Sequence, residues 1–536
     1  MANRRVGGQD EQIDKNASTL AGRTTGDRYY YGSEHRSAHA RRRGGLRALG
    51  ELAAGWPGAL LLLVSVGTVG GMALSGVLDR VPVDRGPALW VVVALASVGA
   101  AVALGTRPVH WWRHSAPRLA LGVTVAIVVA WVWLAASGLT GDSPYPDRFV
   151  VYAWVALFVF GAGLSGLTTG SYALRTTRVL SAPAAVLAVF LVINAFYGYW
   201  PTVGTLLGHP LPGQVDGRSL AAELHERRPP PPDGAFGPVS IPGTSVGFRA
   251  ATAYLWLPPA WDRVPHADFP VIVTLTGIPG RAQDWAVAGG AIDASSAWAA
   301  THHGIAPPVL MLNENGSPVH DTECLNSREG DAYSYLTKVV PRFITTVLGI
   351  PHAPDRWGLV GFSEGGTCSL LLAVKAHNLF DRFVDIAGDA APDFGPGGRL
   401  TLSVLFDGNR AEQRAWNPRL LMLHHRYPSL EGWFATGLQD RGHRLLEPQL
   451  AADATRAGMT VHHYWAPGHH TWIFARQAFE HIYPNFVSAL LAGRRATSVA
   501  GIMGPPEPAS GFGLTNLGSR QPGATAGASR ALRRRS

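Results

Sequence analysis

The chain has 536 residues, 47% hydrophobic and only 15% charged, too long for one ordinary domain and too apolar for a wholly soluble protein. Its net charge of +9 does not indicate nucleic acid. The arginines gather in the N-terminal arm, in short loops between apolar stretches and in a tail ending Arg533, Arg534, Arg535, as membrane context distributes them.

Residues 1–50 are polar, rich in Gly and Arg and without hydrophobic periodicity, so a disordered basic arm is expected; no cleavable signal peptide is evident. Residues 51–200 contain five apolar stretches, near Trp56–Leu78, Pro87–Leu104, Leu119–Ser137, Val150–Leu167 and Val179–Trp200. Each has about the length of a bilayer-spanning helix. None contains Asp, Glu, Lys or Arg, which favours an anchor over a transporter core, where intramembrane charges mark the pathway. Arg41, Arg42, Arg43 and Arg47 precede the first stretch, Arg107, Arg113 and Arg118 follow the second, and Arg175 and Arg178 follow the fourth. The positive-inside rule then makes the N-terminus cytoplasmic and, with five spans, everything after Trp200 extracytoplasmic.

Residues 201–235 read as a loop with a stiff spacer at Pro229 to Pro232, residues 236–492 as a second domain, and residues 493–536, rich in Gly, Ala, Pro and Ser, as a disordered tail. In the second domain, strand-like Thr252–Leu257, Val271–Leu275, Val309–Leu312 and Trp357–Val360 alternate with helix-like runs such as Tyr333–Leu348. The pattern predicts a mostly parallel, doubly wound α/β sheet with its site at the strands' C-terminal ends.

The run Gly361, Phe362, Ser363, Glu364, Gly365, Gly366 follows the Trp357–Val360 strand and opens a helix-like stretch. A turn that tight from strand to helix needs small residues on both sides of the serine and holds its hydroxyl exposed at a helix N-terminus, making Ser363 the candidate nucleophile. The five-residue pattern alone is weak, since 63 glycines give about 0.4 chance matches. Gly243–Gly247 repeats it, but no helix follows, and it is rejected.

A serine needs an imidazole to take its proton. His469 and His470 follow the strand-like Val461–Trp465, and His470 is the candidate base. Asp440, after the strand-like Trp433–Gly437, is the candidate acid, with Asp407 and Glu431 as rivals. The backbone N–H of Glu364 and that of Ile278, in the loop Thr276 to Gly280, would receive the oxyanion, because Pro279 has no N–H. Each such donor is worth about 3 kcal/mol of barrier. Cys324 and Cys368 are the only cysteines, too few for a disulfide scaffold or a structural zinc site; they could form one bridge in an oxidising compartment, bracing the serine's helix. The paired histidines lack metal-ligand spacing, so no metal and no cofactor is expected. The loop Asp321 to Cys324 could line the pocket and meet a cationic head group, or be a loop pinned by helix capping.

Taken together, Tyr254–Pro259, Gly277–Trp285, Asp321–Cys324, Gly361–Gly366 and Gly468–Trp472 resemble the esterase D and mycolyltransferase group of α/β-hydrolases over about Thr252–Phe479. The group's Gly, variable residue, His, variable residue, Trp ending places its catalytic histidine on His470. The resemblance implies an α/β-hydrolase domain and an esterase, thioesterase or transesterase acting on acyl esters. Joined to membrane spans, it implies envelope lipids as substrates, with mycolyl-type and aminoacyl-phospholipid esters as candidates. Thr276 stands where mycolyltransferases carry a sugar-holding aspartate, which speaks against trehalose as acceptor. The rival expectation is an inactive hydrolase fold serving as an envelope binding or assembly module. The sequence sets no oligomeric state.

Overall fold

The computed structural model describes residue 68 and residues 71–136, 147–165, 172–211, 213–226, 230–395, 398 and 400–493. The expected arm and tail, and most of the first apolar stretch, lie outside the described residues.

Four apolar helices come first: α1 (Pro87–Gly105), α2 (Val109–Ala136), α3 (Asp147–Leu164) and α4 (Tyr172–Tyr197). Among the described residues three stretches are long and apolar enough to cross a bilayer, Pro87–Gly105, Val109–Val132 and Leu180–Tyr197, whereas Phe149–Leu164 is shorter. Of the five expected spans, three are thus matched among the described residues, and the first lies mostly outside them. Helix boundaries differ too. Arg113 and Arg118, expected between spans, lie within the first three turns of α2, and Arg175 and Arg178 within the first two of α4. Arginine is a good helix former, so the helix runs on past the apolar edge.

α4 packs against α1 and α3. Small residues line the helix contacts: a Cβ on Gly99 of α1 would press on Ser181 of α4, while Ala162 of α3 packs with Trp111 and Ala116 of α2. Close approach through small residues is how helices associate where lipid competes with every larger apolar side chain. Trp90, Val91, Leu95 and Val98 of α1 and Leu121, Val125, Val129 and Val132 of α2 point outward and are exposed. A continuous apolar face of this size marks a surface that meets a membrane or a partner.

The segment expected to be a loop carries two short helices, α5 (Val203–Leu207) and α6 (Gly217–Glu226). Thr202 and Thr205 form a reciprocal capping box on α5, and Leu220 and Leu224 of α6 are buried in the core of the second domain. The expectation failed because the intervening prolines and glycines masked two runs too short to show a period.

The second domain is built on one eight-stranded sheet: β1 (Ala235–Val239), β2 (Ala253–Leu257), β3 (Val271–Leu275), β4 (Val309–Met311), β5 (Trp357–Phe362), β6 (Arg382–Ile386), β7 (Glu431–Gly437) and β8 (Thr460–Ala466). Their order is β1-β2-β4-β3-β5-β6-β7-β8. β2 runs antiparallel to both neighbours and every other pairing is parallel. This is the mostly parallel sheet of an α/β-hydrolase-like domain. β1 and β6 have no counterpart among the expected strands: Gly237 and Pro238 interrupt β1, and Arg382 and Asp385 break the apolar run of β6.

Alternate residues of the strands feed two cores, one on each face. Val271, Val273, Leu359, Phe383 and Phe434 join one core, which contains the helix α8 (Glu364–Lys375). Ile272, Val360, Val384, Trp433 and Ala435 join the other, which is closed by α7 (Ala291–Thr301) and α10 (Trp472–Ala492). A further helix, α9 (Leu446–Arg456), lies between β7 and β8.

Cys324 and Cys368 are joined by a disulfide across a separation of 44 residues, tying the loop before the Ala332–Ser334 helical turn to α8. Closing a loop of that length restricts the unfolded chain, so replacing both cysteines by serine should cost about 2–4 kcal/mol. Urea unfolding of the wild type and of the double variant, each with and without reductant, checks this. Only the wild type should respond to the reductant.

Candidate active site

Ser363 stands where β5 turns into α8, with φ 60° and ψ −126°. A non-glycine residue at positive φ is strained, and such strain is kept only where surrounding structure fixes it. Here the two flanking glycines fix it. A Cβ on Gly361 would overlap the carbonyl of Gly365, and one on Gly365 would overlap the carbonyls of Leu275 and Thr276. The Gly243–Gly247 repeat forms an exposed 3-10 turn at Thr244–Val246 instead.

His470 follows β8 and precedes α10. Its Nε2 lies 2.8 Å from Ser363 Oγ and its Nδ1 lies 2.8 Å from Asp440 Oδ2. An imidazole that donates from Nδ1 to the carboxylate has Nε2 free to accept the serine's proton. His469, the alternative base, points away and packs on Phe196 with ring centroids 5.0 Å apart. The rival acids are also elsewhere: Asp407 pairs with Arg328, and Glu431, at the opposite end of β7, pairs with Arg382 and His462.

The loop after β3 lies against Ser363. A Cβ on Gly277 would press on Ser363 Cβ, and the next peptide, Ile278–Pro279, is cis. Among the described residues, neither the Ile278 N–H nor the Glu364 N–H has an intramolecular acceptor. For Glu364 this follows from its position, since the first N–H groups of a helix have no partner within it. Both are thus available to an anion formed at Ser363.

Glu364 itself is buried, and Asn315 Nδ2 donates to its Oε2 at 2.6 Å. Burial first, then the charges of Asp321 and Glu314, push its carboxyl well above the usual range.

His443 was not anticipated. It follows Asp440 by three residues, yet nothing in Gln-Asp-Arg-Gly-His distinguishes it from a surface histidine. Its Nδ1 lies 3.1 Å from Asp440 Oδ1, its Nε2 lies 3.2 Å from Asp389 Oδ1, and its ring stacks on His470 with centroids 4.6 Å apart. Burial alone would lower its pKa, but hydrogen bonds from the ring to Asp389 and Asp440, and their charges, outweigh this and raise it to about 10. Asp440 is 2% exposed. Burial would raise its pKa, yet the two imidazoles it accepts from hold it far below the usual carboxylate range.

Residues 248–492 match the Esterase family model. An uncharacterised protein of Corynebacterium glutamicum is 28% identical over 415 residues, covering 74% of this chain and 94% of its own length. A match of that extent exceeds the second domain and its tail together, so it runs back into the apolar helices. Among solved structures, an S-formylglutathione hydrolase from Agrobacterium tumefaciens is 18% identical over 48% of this chain and 96% of its own, with a TM-score of 0.39. The fluorophosphonate-binding serine hydrolase F of Staphylococcus aureus is 15% identical over 47% of this chain and 98% of its own, with a TM-score of 0.36. The family match supports an ester hydrolase for the second domain.

Because the pKa of His443 is raised in the folded state, its contribution to stability is complete below about pH 6.5 and is lost as pH rises toward about 10. Melting temperature should therefore fall across that window in the wild type and fall less in His443→Gln. Parallel slopes in differential scanning fluorimetry would refute the assignment.

Proposed function

We propose that this chain is a membrane-bound serine esterase or acyltransferase, with its catalytic domain on the extracytoplasmic side, acting on acyl esters of envelope lipids. The observation that carries the reading is the unbroken hydrogen-bonded chain Ser363, His470, Asp440 at the C-terminal edge of the sheet.

In this mechanism Ser363 Oγ bonds to the ester carbonyl carbon while its proton passes to His470 Nε2. Asp440 holds the imidazole in the tautomer that accepts there and stabilises the imidazolium that results. The carbonyl oxygen becomes an oxyanion between the Glu364 and Ile278 N–H groups. As the tetrahedral intermediate collapses, the alcohol leaves with the proton from His470 Nε2, and the acyl group stays on Ser363. Water, or an acceptor alcohol, then loses its proton to His470 and bonds to the acyl carbon, and as the acyl–Oγ bond breaks His470 returns that proton to Ser363 Oγ. Hydrolysis and transfer differ only in that last acceptor.

Lipid as the substrate is supported by where α4 ends. Beyond Tyr197, Gly198 packs so closely on Ile473 that a Cβ would overlap it, and Phe196 lies against His469. Tyr199 packs on Trp472, and its hydroxyl donates to the carbonyl of Pro279 at 2.9 Å. The end of the last apolar helix and the residues just after it thus touch both the histidine loop and the oxyanion loop. If α4 crosses the bilayer, the reacting serine faces the membrane surface, within reach of an ester whose acyl chains remain in lipid. The extracytoplasmic side rests on the arginine distribution and accords with the disulfide.

A membrane-impermeant fluorophosphonate should label intact cells carrying the wild type and not those carrying Ser363→Ala; labelling only after lysis would reverse the topology. On a chromogenic ester, Ser363→Ala and Asp440→Asn should each lower kcat by about 10⁴-fold. Tyr199→Phe removes one hydrogen bond, worth about 1 kcal/mol, and should lower kcat/KM roughly fivefold. An unchanged rate would detach α4 from the reaction.

A further inference from the structure

Four carboxyls meet behind the nucleophile, and the imidazole of His320, beside Asp321, is itself hydrogen-bonded to Glu329. Glu314 is fully buried, Glu323 and Glu364 are each 6% exposed, and Asp321 lies at the edge. Among the described residues no Lys or Arg forms an ion pair with any of the four, and the further charges around Glu323 are those of Asp389 and Asp393. Hydrogen bonds satisfy only some of the oxygens. Asn315 donates to Glu364 Oε2 and the Thr276 N–H to Glu314 Oε2, but Glu364 Oε1, Glu314 Oε1 and Asp321 Oδ1 are buried with no donor. A buried carboxylate oxygen without a partner costs several kcal/mol unless something positive meets it.

We propose that Asp321, Glu323 and Glu364 form a binding site for a hard divalent cation, calcium by its chemistry. One oxygen from each of the three lies within 4.8 Å of the other two, so an ion equidistant from them needs the side chains to close by only a few tenths of an ångström to reach the oxygen–calcium distance of roughly 2.4 Å. Oxygen-only donors of mixed reach suit calcium, whereas magnesium demands a tighter octahedron.

The surrounding chain holds the three together. Glu323 and Cys324 both take positive φ, 48° and 57°, and the bridge to Cys368 pins that bend to α8. Asn315 spans the two sides: its Oδ1 accepts from the Thr322 N–H at 2.7 Å and from Thr322 Oγ1 at 2.8 Å, while its Nδ2 donates to Glu364. The ion would hold the Asp321 to Cys324 loop against the residue that follows the nucleophile. It positions and does not react, and the site stands whether or not Ser363 is a nucleophile.

The test is calorimetric titration of the full chain in nanodiscs, stripped with EGTA, with calcium chloride. The wild type should bind one ion with a Kd of roughly 10⁻⁵–10⁻³ M and melt at higher temperature when loaded. Glu323→Gln and Asp321→Asn should each weaken binding at least about tenfold, and Ser363→Ala should bind as the wild type does, which separates this inference from the esterase reading. Should Glu323→Gln not fold, Asp321→Asn, at the cluster's edge, decides. Carboxyls that merely share protons would leave the chain indifferent to calcium. No heat and no melting shift up to about 10 mM, or undiminished binding in the variants, overturns the site.

Discussion

The backbone crowding at Ser363 is the constraint on which the rest of the second domain depends. β5 reverses into α8 within one residue, which is possible only because Gly361 and Gly365 present no Cβ where the carbonyls of Gly365, Leu275 and Thr276 pass. That reversal aims the hydroxyl out of the sheet, leaves the Glu364 N–H free at the helix start, and brings the Thr276 to Gly280 loop into contact with the serine. The strained φ of Ser363 is held in place by what surrounds it: two cores that clamp β5 from both faces and a disulfide that anchors α8 one turn further on.

Legibility in the sequence followed the range of the interaction. Ser363 could be nominated because the elbow is local: a strand, two glycines and a helix lie within twenty residues. His470 was nominated through the resemblance's Gly, variable residue, His, variable residue, Trp pattern, and Asp440 by its place after a strand; the structure brings the three side chains within hydrogen-bonding distance. His470 and Asp440 both lie at strand ends that the sheet gathers to one edge, so chain order supported both nominations. His443 and Asp389 could not be found in this way, since their meeting depends on how the β6–α9 region folds over β7. The carboxylates behind the nucleophile were legible only as a loop of uncertain role, because Glu314 and Asn315 reach it from the end of another strand. In the apolar region hydropathy located the helices but misplaced their ends, for helix propensity and bilayer thickness set different boundaries.

The junction between the two parts of the chain is likewise not an inert tether. α6 contributes Leu220 and Leu224 to the core of the second domain, and the residues after α4 reach the loops beside Ser363 and His470. Removing the apolar region would therefore take away Tyr199 from Pro279 and Phe196 from His469, so a soluble catalytic fragment would differ from the intact chain in the shape of its oxyanion loop. A tether would need one helix and no such contacts.

Asp440 carries a heavier electrostatic duty than an orienting carboxylate usually does. It is buried, it accepts from two stacked imidazoles, and one of these, His443, is held protonated at neutral pH by Asp389 on its far side. A permanent positive charge on one imidazole opposes a second positive charge on the ring stacked against it. Asp389 offsets part of that opposition, so the imidazolium on His470 that the proposed reaction requires depends on both carboxylates together. The groups Asp389, His443, Asp440, His470 and Ser363 then form one hydrogen-bonded chain in which the two carboxylates flank the cation on His443, so what binds beside the partly exposed Asp389 bears on the whole chain.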